Sequence, residues 1–215
     1  MTVLIFANGD LEDGHWVQTY LKSASTVIAA NGGSGHLWRL GYLPDVVIGD
    51  LDSLPKAVEE WLQENEVQMM QFPQNKDEND LELALLYAVE QSRDLIMVFA
   101  AAGGRMDQTL ANIQLLAHPN LIDRQIELVT AHERAWLVTG TAEFKGEIGD
   151  NVSLIPLGGT VHIRYTRGLQ WQLSDEELAF GPARGVSNRM QSKSATISVA
   201  SGMLLCIHTY ETWRR

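Results

Sequence analysis

The chain has 215 residues, of which 45% are hydrophobic, and a formal net charge of −11. That length fits one large domain or two small ones, with ample apolar content for a buried core. The acidic balance argues against nonspecific binding to nucleic acid or anionic membranes, which requires a basic face. The single cysteine, Cys206, excludes an internal disulfide and lies in an apolar run that reads as core. Residues 1–6 are too short for a signal h-region and lack a basic segment. No apolar run approaches the length of a membrane span. The expected setting is cytoplasmic.

The first part of the chain alternates β-rich runs with helical patterns. Residues 3–7, 26–30, 46–48, 67–72, 95–101 and 126–130 read as strands. Several lack strict alternation, as strands buried on both faces do. Between them, residues 15–22 and 37–41 are weak helix candidates. Residues 56–64 follow Pro55, which suits a first helical position. Residues 81–91 carry a capping-box pattern, Asn79 with Glu82, and an apolar stripe of Leu81, Leu85 and Ala88. In residues 106–117 Leu110, Ile113 and Ala117 are in phase, with Pro119 beyond. This order predicts a doubly wound, mostly parallel α/β sheet.

Beyond Thr130 the texture changes to short strand-like runs, at 135–138, 152–156, 161–165, 169–173, 196–199 and 203–209, divided by glycines. Residues 174–178 offer one helical turn. This pattern predicts an all-β antiparallel sandwich. The expected domains are 1–127, an α/β catalytic domain, and 128–215, a β-sandwich.

Four loops of the first domain follow predicted strands, so all should open on one sheet edge, where ligands of open α/β sheets bind. Asn31-Gly32-Gly33 offers backbone donors for close approach to an anion, or an ordinary tight turn. Gly49-Asp50-Leu51-Asp52-Ser53 places two carboxylates at i and i+2, where they can share a hard cation or form an acidic turn. Asn75-Lys76-Asp77-Glu78-Asn79-Asp80 adds Asp77 and Asp80, as further ligands or as helix-capping acids, and Lys76 for a phosphate. Gly103-Gly104-Arg105-Met106-Asp107-Gln108 combines backbone donors, a helix start and a guanidinium fork. There Asp107 can orient Arg105 or meet a sugar hydroxyl. The set fits metal-assisted phosphoryl transfer. No P-loop or dinucleotide fingerprint is present. In the second domain Trp171 reads as core or as a stacking platform, and Ser187-Asn188 as hydrogen-bonding groups or a turn.

In their order these motifs resemble the thiamine pyrophosphokinase family. That family shows a glycine pair, then G-D-x-D-S, D-x-D-x-T-D and G-G-R-x-D-[HQ], and later G-[LF]-x-[WY]-x-L and S-N. The counterparts here are Gly32-Gly33, Gly49 to Ser53, Asn75 to Asp80, Gly103 to Gln108, Gly168 to Leu173, and Ser187-Asn188. The resemblance implies that Asp50, Asp52 and Asp80 hold Mg²⁺; Asp77 or Asp80 is read as the base. It implies that Arg105 and Asp107 serve ATP, and that Trp171 and Ser187 bind thiamine, both from the partner subunit; Asn31, Gly32, Gly33 and Lys76 are further candidates for the nucleotide and Asn188 for thiamine. It further implies a homodimer with active sites between subunits. Three positions depart from the pattern: the family commonly has Asp where Asn31 and Asn75 stand, and Thr where Asn79 stands. The alternatives are a transferase of the same kind with another alcohol acceptor, and a noncatalytic thiamine or nucleotide sensor.

Overall fold

A computed structural model describes residues 1–12, 14–52 and 54–210, in two compact units, Met1–Thr130 and Ala131–Arg215. In the first unit the strands are β1 (Thr2–Phe6), β2 (Thr26–Ala30), β3 (Val46–Gly49), β4 (Gln68–Gln71), β5 (Leu95–Phe99) and β6 (Ile126–Val129). They form a parallel sheet in the order β6-β5-β1-β2-β3-β4. The helices are α1 (Gln18–Leu21), α2 (Ser34–Leu40), α3 (Lys56–Glu64), α4 (Asp80–Gln91) and α5 (Met106–Leu115).

The uninterrupted apolar runs follow from burial on both faces. Leu4, Phe6, Val27, Ala29 and Val47 pack in one cluster with Leu37 of α2 and with Val58 and Leu62 of α3. Their strand neighbours Val3, Ile5, Ile28 and Ile48 are equally buried. They point to the opposite face, as period-2 alternation requires. There α4 packs on β1, β2 and β3 through Leu81, Ala84, Leu85 and Ala88.

Two helix ends bear on the site. The Asn79 side chain accepts the Glu82 N–H at 2.8 Å, the forward half of the predicted capping box. Such a cap contributes about 1 kcal/mol. The Glu82 carboxylate itself lies 3.6 Å from His118 Nε2. In α5 the sequence expectation needs correction. Leu110 is exposed, and the buried positions are Asn112 and Leu115. Asn112 Nδ2 donates to the Ala101 carbonyl at 2.7 Å, so the inner face is set by fastening the loop after β5.

The second unit contains β7 (Glu133–Val138), β8 (Thr141–Lys145), β9 (Asn151–Arg167), β10 (Ser174–Leu178), β11 (Asn188–Arg189) and β12 (Ser194–Thr209), paired antiparallel. The two long strands each serve both layers of a sandwich. The first half of β9 pairs with β11 and with the last part of β12, which also pairs with β7. The second half of β9 pairs with β10 and with the first part of β12, which also pairs with β8. The register of β12 shifts between Ser198 and Met203. Gly158 (φ 77°) and Gly202 (φ 91°) mark the bends, and a Cβ on Gly202 would come within 2.8 Å of the Thr160 carbonyl. Val152, Leu154, Val161, Ile163, Ile197, Leu204 and Cys206 fill one core.

Two local expectations are corrected here. Residues 174–178 are β10, not a helical turn, because β9 offers an unpaired edge to them. Residues 169–173 are a loop with a single bridge, Leu169 to Met190. Left-handed Gly168 (φ 74°) turns the chain out of β9, and Ser194 O would lie 2.2 Å from a Cβ there. No helix among the described residues is long and apolar enough to cross a membrane.

Candidate active site

The carboxyl ends of β1, β2, β3 and β5, with the segment after β4, surround a cavity of about 550 Å³ in the first unit. Its wall includes Asn31, Asp50, Lys76, Asp80 and Arg105 of the sequence candidates.

At its centre is an amide between two carboxylates. Asn31 Nδ2 donates to Asp50 Oδ1 at 2.8 Å and to Asp80 Oδ2 at 2.9 Å. The side chain is 7% exposed, and its Oδ1 is buried without a hydrogen-bond partner. Asn31 adopts φ 44°, a left-handed conformation that Asn tolerates better than most residues. Gly49 permits the convergence: a Cβ there would fall 2.7 Å from Asn31 Cβ and 3.1 Å from Asp80 Cγ.

Lys76 Nζ meets Asp80 Oδ1 at 2.8 Å, with side chains 12% and 26% exposed. The cost of breaking this pair lies between the roughly 0–1 kcal/mol of an exposed pair and the roughly 3–5 kcal/mol of a buried one. Asp52 contributes its backbone N–H to Asp50 Oδ1 at 3.3 Å. Neither Asp52 nor Asp77 is part of the cavity wall. Among the described residues no three His, Cys, Asp or Glu side chains are grouped as a metal site. The carboxylates on the cavity wall are Asp10, Asp50, Glu78 and Asp80, of which Asp50 and Asp80 converge on the Asn31 amide. Ser53 lies outside the described residues.

The glycine pair after β2 serves packing. A Cβ on Gly32 would meet Asn8 Cγ at 2.4 Å, and one on Gly33 would meet the Phe6 carbonyl at 1.9 Å. Both are absent from the cavity wall. The missing side chains let the turn after β2 press against the end of β1.

After β5, Gly103 (φ 91°) and Gly104 (φ 70°) are left-handed, and Arg105 precedes α5. Arg105 Nε donates to Asp107 Oδ1 at 3.1 Å and Nη2 donates to Oδ2; Asp107 also accepts the Gln108 N–H at 2.9 Å. The hydrogen bonds from Arg105 hold the Asp107 carboxyl below the usual carboxylate range, and the same contact raises the guanidinium. Both side chains are solvent-exposed. Asp107 thus orients the guanidinium at the cavity rim.

Sequence reasoning missed the loop after β1, Asn8-Gly9-Asp10, which also lines the cavity. A Cβ on Gly103 would lie 2.8 Å from Asp10 Oδ2. The available signal was the same one used elsewhere, a buried run ending in glycine and aspartate. Behind this loop His36 is buried, with Nε2 2.9 Å from the Gly9 carbonyl and Nδ1 facing Arg39 Nη2. A guanidinium donates only, so Nδ1 accepts and Nε2–H donates to Gly9. Burial, then the Arg39 charge, pushes the imidazole below its ordinary 6.5.

In the second unit Trp171 is 56% exposed, on the loop between β9 and β10, so the core reading fails. Its backbone is held by Asn188: Trp171 N–H donates to Asn188 Oδ1 at 3.0 Å, and Asn188 Nδ2 donates to Trp171 O at 2.7 Å. The same Oδ1 accepts the Arg189 N–H at 2.8 Å, and Asn188 is buried. Exposed Ser187 (φ 63°) precedes it, its N–H on Ser153 Oγ at 3.1 Å. The buried amide thus holds the backbone of an exposed indole.

Residues 17–130 match the family described as thiamin pyrophosphokinase, catalytic domain; residues 142–204 match thiamin pyrophosphokinase, vitamin B1 binding domain. The chain is 28% identical over 193 residues to the thiamine pyrophosphokinase of Bacillus subtilis (strain 168), covering 88% of this chain and 90% of that one. The crystal structure of thiamin pyrophosphokinase from Geobacillus thermodenitrificans superimposes with a TM-score of 0.85 at 28% identity, covering 99% of each chain. The Bacillus subtilis crystal structure gives 0.88 at 24% identity, covering 99% of this chain and 100% of that one, a likeness of fold. The catalytic-domain match alone spans more than half of the sequence, and the chain belongs to the thiamin pyrophosphokinase family.

Proposed function

We propose that this protein is a thiamine pyrophosphokinase. It transfers the terminal pyrophosphoryl unit of ATP to the hydroxyl of thiamine, giving thiamine diphosphate and AMP. The observation that carries the reading is the Asn31–Asp50–Asp80–Lys76 cluster on a cavity with Arg105 at its rim. Carboxylates beside cationic side chains suit a metal–phosphate complex.

The donors fit a hard divalent cation. Asp50 and Asp80 are oxygen ligands from two loops that already converge on one point, and the partnerless Asn31 Oδ1 is an acceptor beside them. In this reading Asp50 and Asp80 hold Mg²⁺, with Asp52 joining from the same loop. A bound Mg²⁺ neutralises phosphate charge.

The chain's own residues do the rest. Lys76 and Arg105 pair with phosphate oxygens, and the Arg105 fork is held in position by Asp107. The thiamine hydroxyl attacks the β-phosphorus in line, the P–O bond to the α-phosphate breaks, and AMP leaves. Asp80 or Asp77 accepts the hydroxyl proton. Trp171 stacks on the thiamine rings and Ser187 hydrogen-bonds them, while Asn188 keeps the indole in place. We further propose a cytoplasmic homodimer with each active site shared between subunits.

Incubation with ATP, Mg²⁺ and thiamine, followed by chromatography, tests the reading. Equimolar thiamine diphosphate and AMP are expected. ADP with thiamine monophosphate, or no product, would overturn it.

A further inference from the structure

The Asn31 side chain has two contrasting ends. Nδ2 spends both hydrogens on carboxylates from two separate loops, at 2.8 Å and 2.9 Å. Oδ1 is buried and has no partner. The opposite orientation would put a third acceptor against two carboxylates, so hydrogen bonding fixes this one in the cation-free state. The remainder of the residue is fastened by its neighbours. Its backbone is left-handed at φ 44°, Ser34 Oγ donates to its carbonyl at 2.8 Å, and its Cβ lies against Gly49. The freedom left is the terminal amide torsion, which is soft because it joins sp³ to sp² carbon.

We propose that Asn31 is a turning amide. Without a cation, Nδ2 clamps Asp50 and Asp80 and offsets their repulsion. When a divalent cation arrives, the amide rotates about χ2 and brings Oδ1 to the ion as an uncharged ligand beside the two carboxylates. The rotation employs the oxygen that the clamped state leaves unsatisfied. It also removes the N–H groups from the place a cation needs. An amide in place of a carboxylate at this position leaves the ligand set one negative charge lower, and cation affinity follows ligand charge. The site therefore binds the free ion weakly and takes it up together with the phosphates that bring further charge. This inference rests on the cavity being a cation site; its test reads neither AMP nor thiamine diphosphate, so failure of the transferase reading would be seen separately.

The test uses nucleotide-free full-length protein and Asn31→Asp. Calorimetric titration with Mn²⁺ is expected to show affinity on the order of ten-fold tighter in Asn31→Asp. Without cation, Asn31→Asp is expected to melt below wild type, and added Mn²⁺ should close the gap. In wild type labelled with ¹⁵N-asparagine, the Asn31 side-chain NH₂ pair, identified by its loss in Asn31→Asp, should move on saturation with Mg²⁺. Equal Mn²⁺ affinities, or no binding by either protein, would overturn the proposal. An Asn31 NH₂ signal unmoved while calorimetry reports Mg²⁺ binding would overturn it using the native protein alone.

Discussion

Replacing Asn188 with alanine removes three hydrogen bonds at once: two to the Trp171 backbone and one from the Arg189 N–H. A typical bond contributes about 1 kcal/mol net, so the loss approaches 3 kcal/mol if none is replaced. Trp171 is half exposed, so water can reclaim some of these groups, and about 2 kcal/mol is expected. For a chain of this size that lowers Tm by roughly 4–8 °C. The indole also loses its fixed position, so KM for thiamine should rise. Trp171→Ala is the control. It keeps the backbone bonds and deletes a side chain that is 56% exposed, so it should cost less than about 1 kcal/mol in stability. If the indole stacks on a cationic ring, its loss is worth about 1–2 kcal/mol of binding, or roughly 5- to 30-fold in KM. Urea denaturation and steady-state kinetics separate the two effects. If Trp171→Ala destabilises as much as Asn188→Ala, the indole packs rather than binds. Unchanged stability in Asn188→Ala would remove the clip argument.

Further expectations follow from the same geometry. Gly33→Ala should destabilise by about 3 kcal/mol or more, because its Cβ meets the Phe6 carbonyl at 1.9 Å, whereas Gly35→Ala, with nothing within 4 Å in a helix, should be neutral or stabilising by up to about 1 kcal/mol; thermal melts compare them. Buried His36 has a lowered pKa, so its contribution is fully present above pH 6.5 and is lost as pH falls from there through the folded-state value. His36→Gln, which can still donate to Gly9, should flatten the Tm-versus-pH profile below about pH 6.5; an unchanged profile refutes the assignment. Arg105→Ala should raise KM for ATP on the order of ten-fold at unchanged Tm, since the side chain is exposed; a matching fall in Tm would make its role structural. Asp52→Asn should lower turnover without unfolding the protein, and turnover like wild type would remove Asp52 from the cation set.

The fold was legible wherever one physical rule governed a segment. Burial on both faces made β1, β2 and β5 read as apolar runs, and Asn79 marked the start of α4. Asp50 after β3 and Asp80 at the start of α4 were legible as neighbours because parallel strands all end on the same edge, whereas Asp52 and Asp77 do not join the cavity wall. What stayed hidden depends on tertiary contact. The inward turn of Asn112, in place of the Leu110 stripe, is decided by a carbonyl eleven residues earlier. The glycine pair read as an anion grip or a tight turn, and how near Phe6 and Asn8 come to it is something no local pattern records. Trp171 has the composition of a strand residue, but its exposure is fixed by Asn188, seventeen residues on.

The bend of β9 carries a consequence for how Trp171 and Ser187 are held. Ser187 hangs from the first half of that strand, through Ser153 Oγ and the Leu154 N–H bond to Gly185 O at 2.9 Å. The loop bearing Trp171 is moored to the second half, where Thr166 N–H reaches Leu173 O at 2.9 Å. Gly158 and Gly159 lie between the two moorings, while the Asn188 side chain ties the Trp171 backbone directly to the residue after Ser187. The bend and the clip are thus two fastenings of one loop, and a change in the angle of β9 would load the Asn188 hydrogen bonds before it moved the indole.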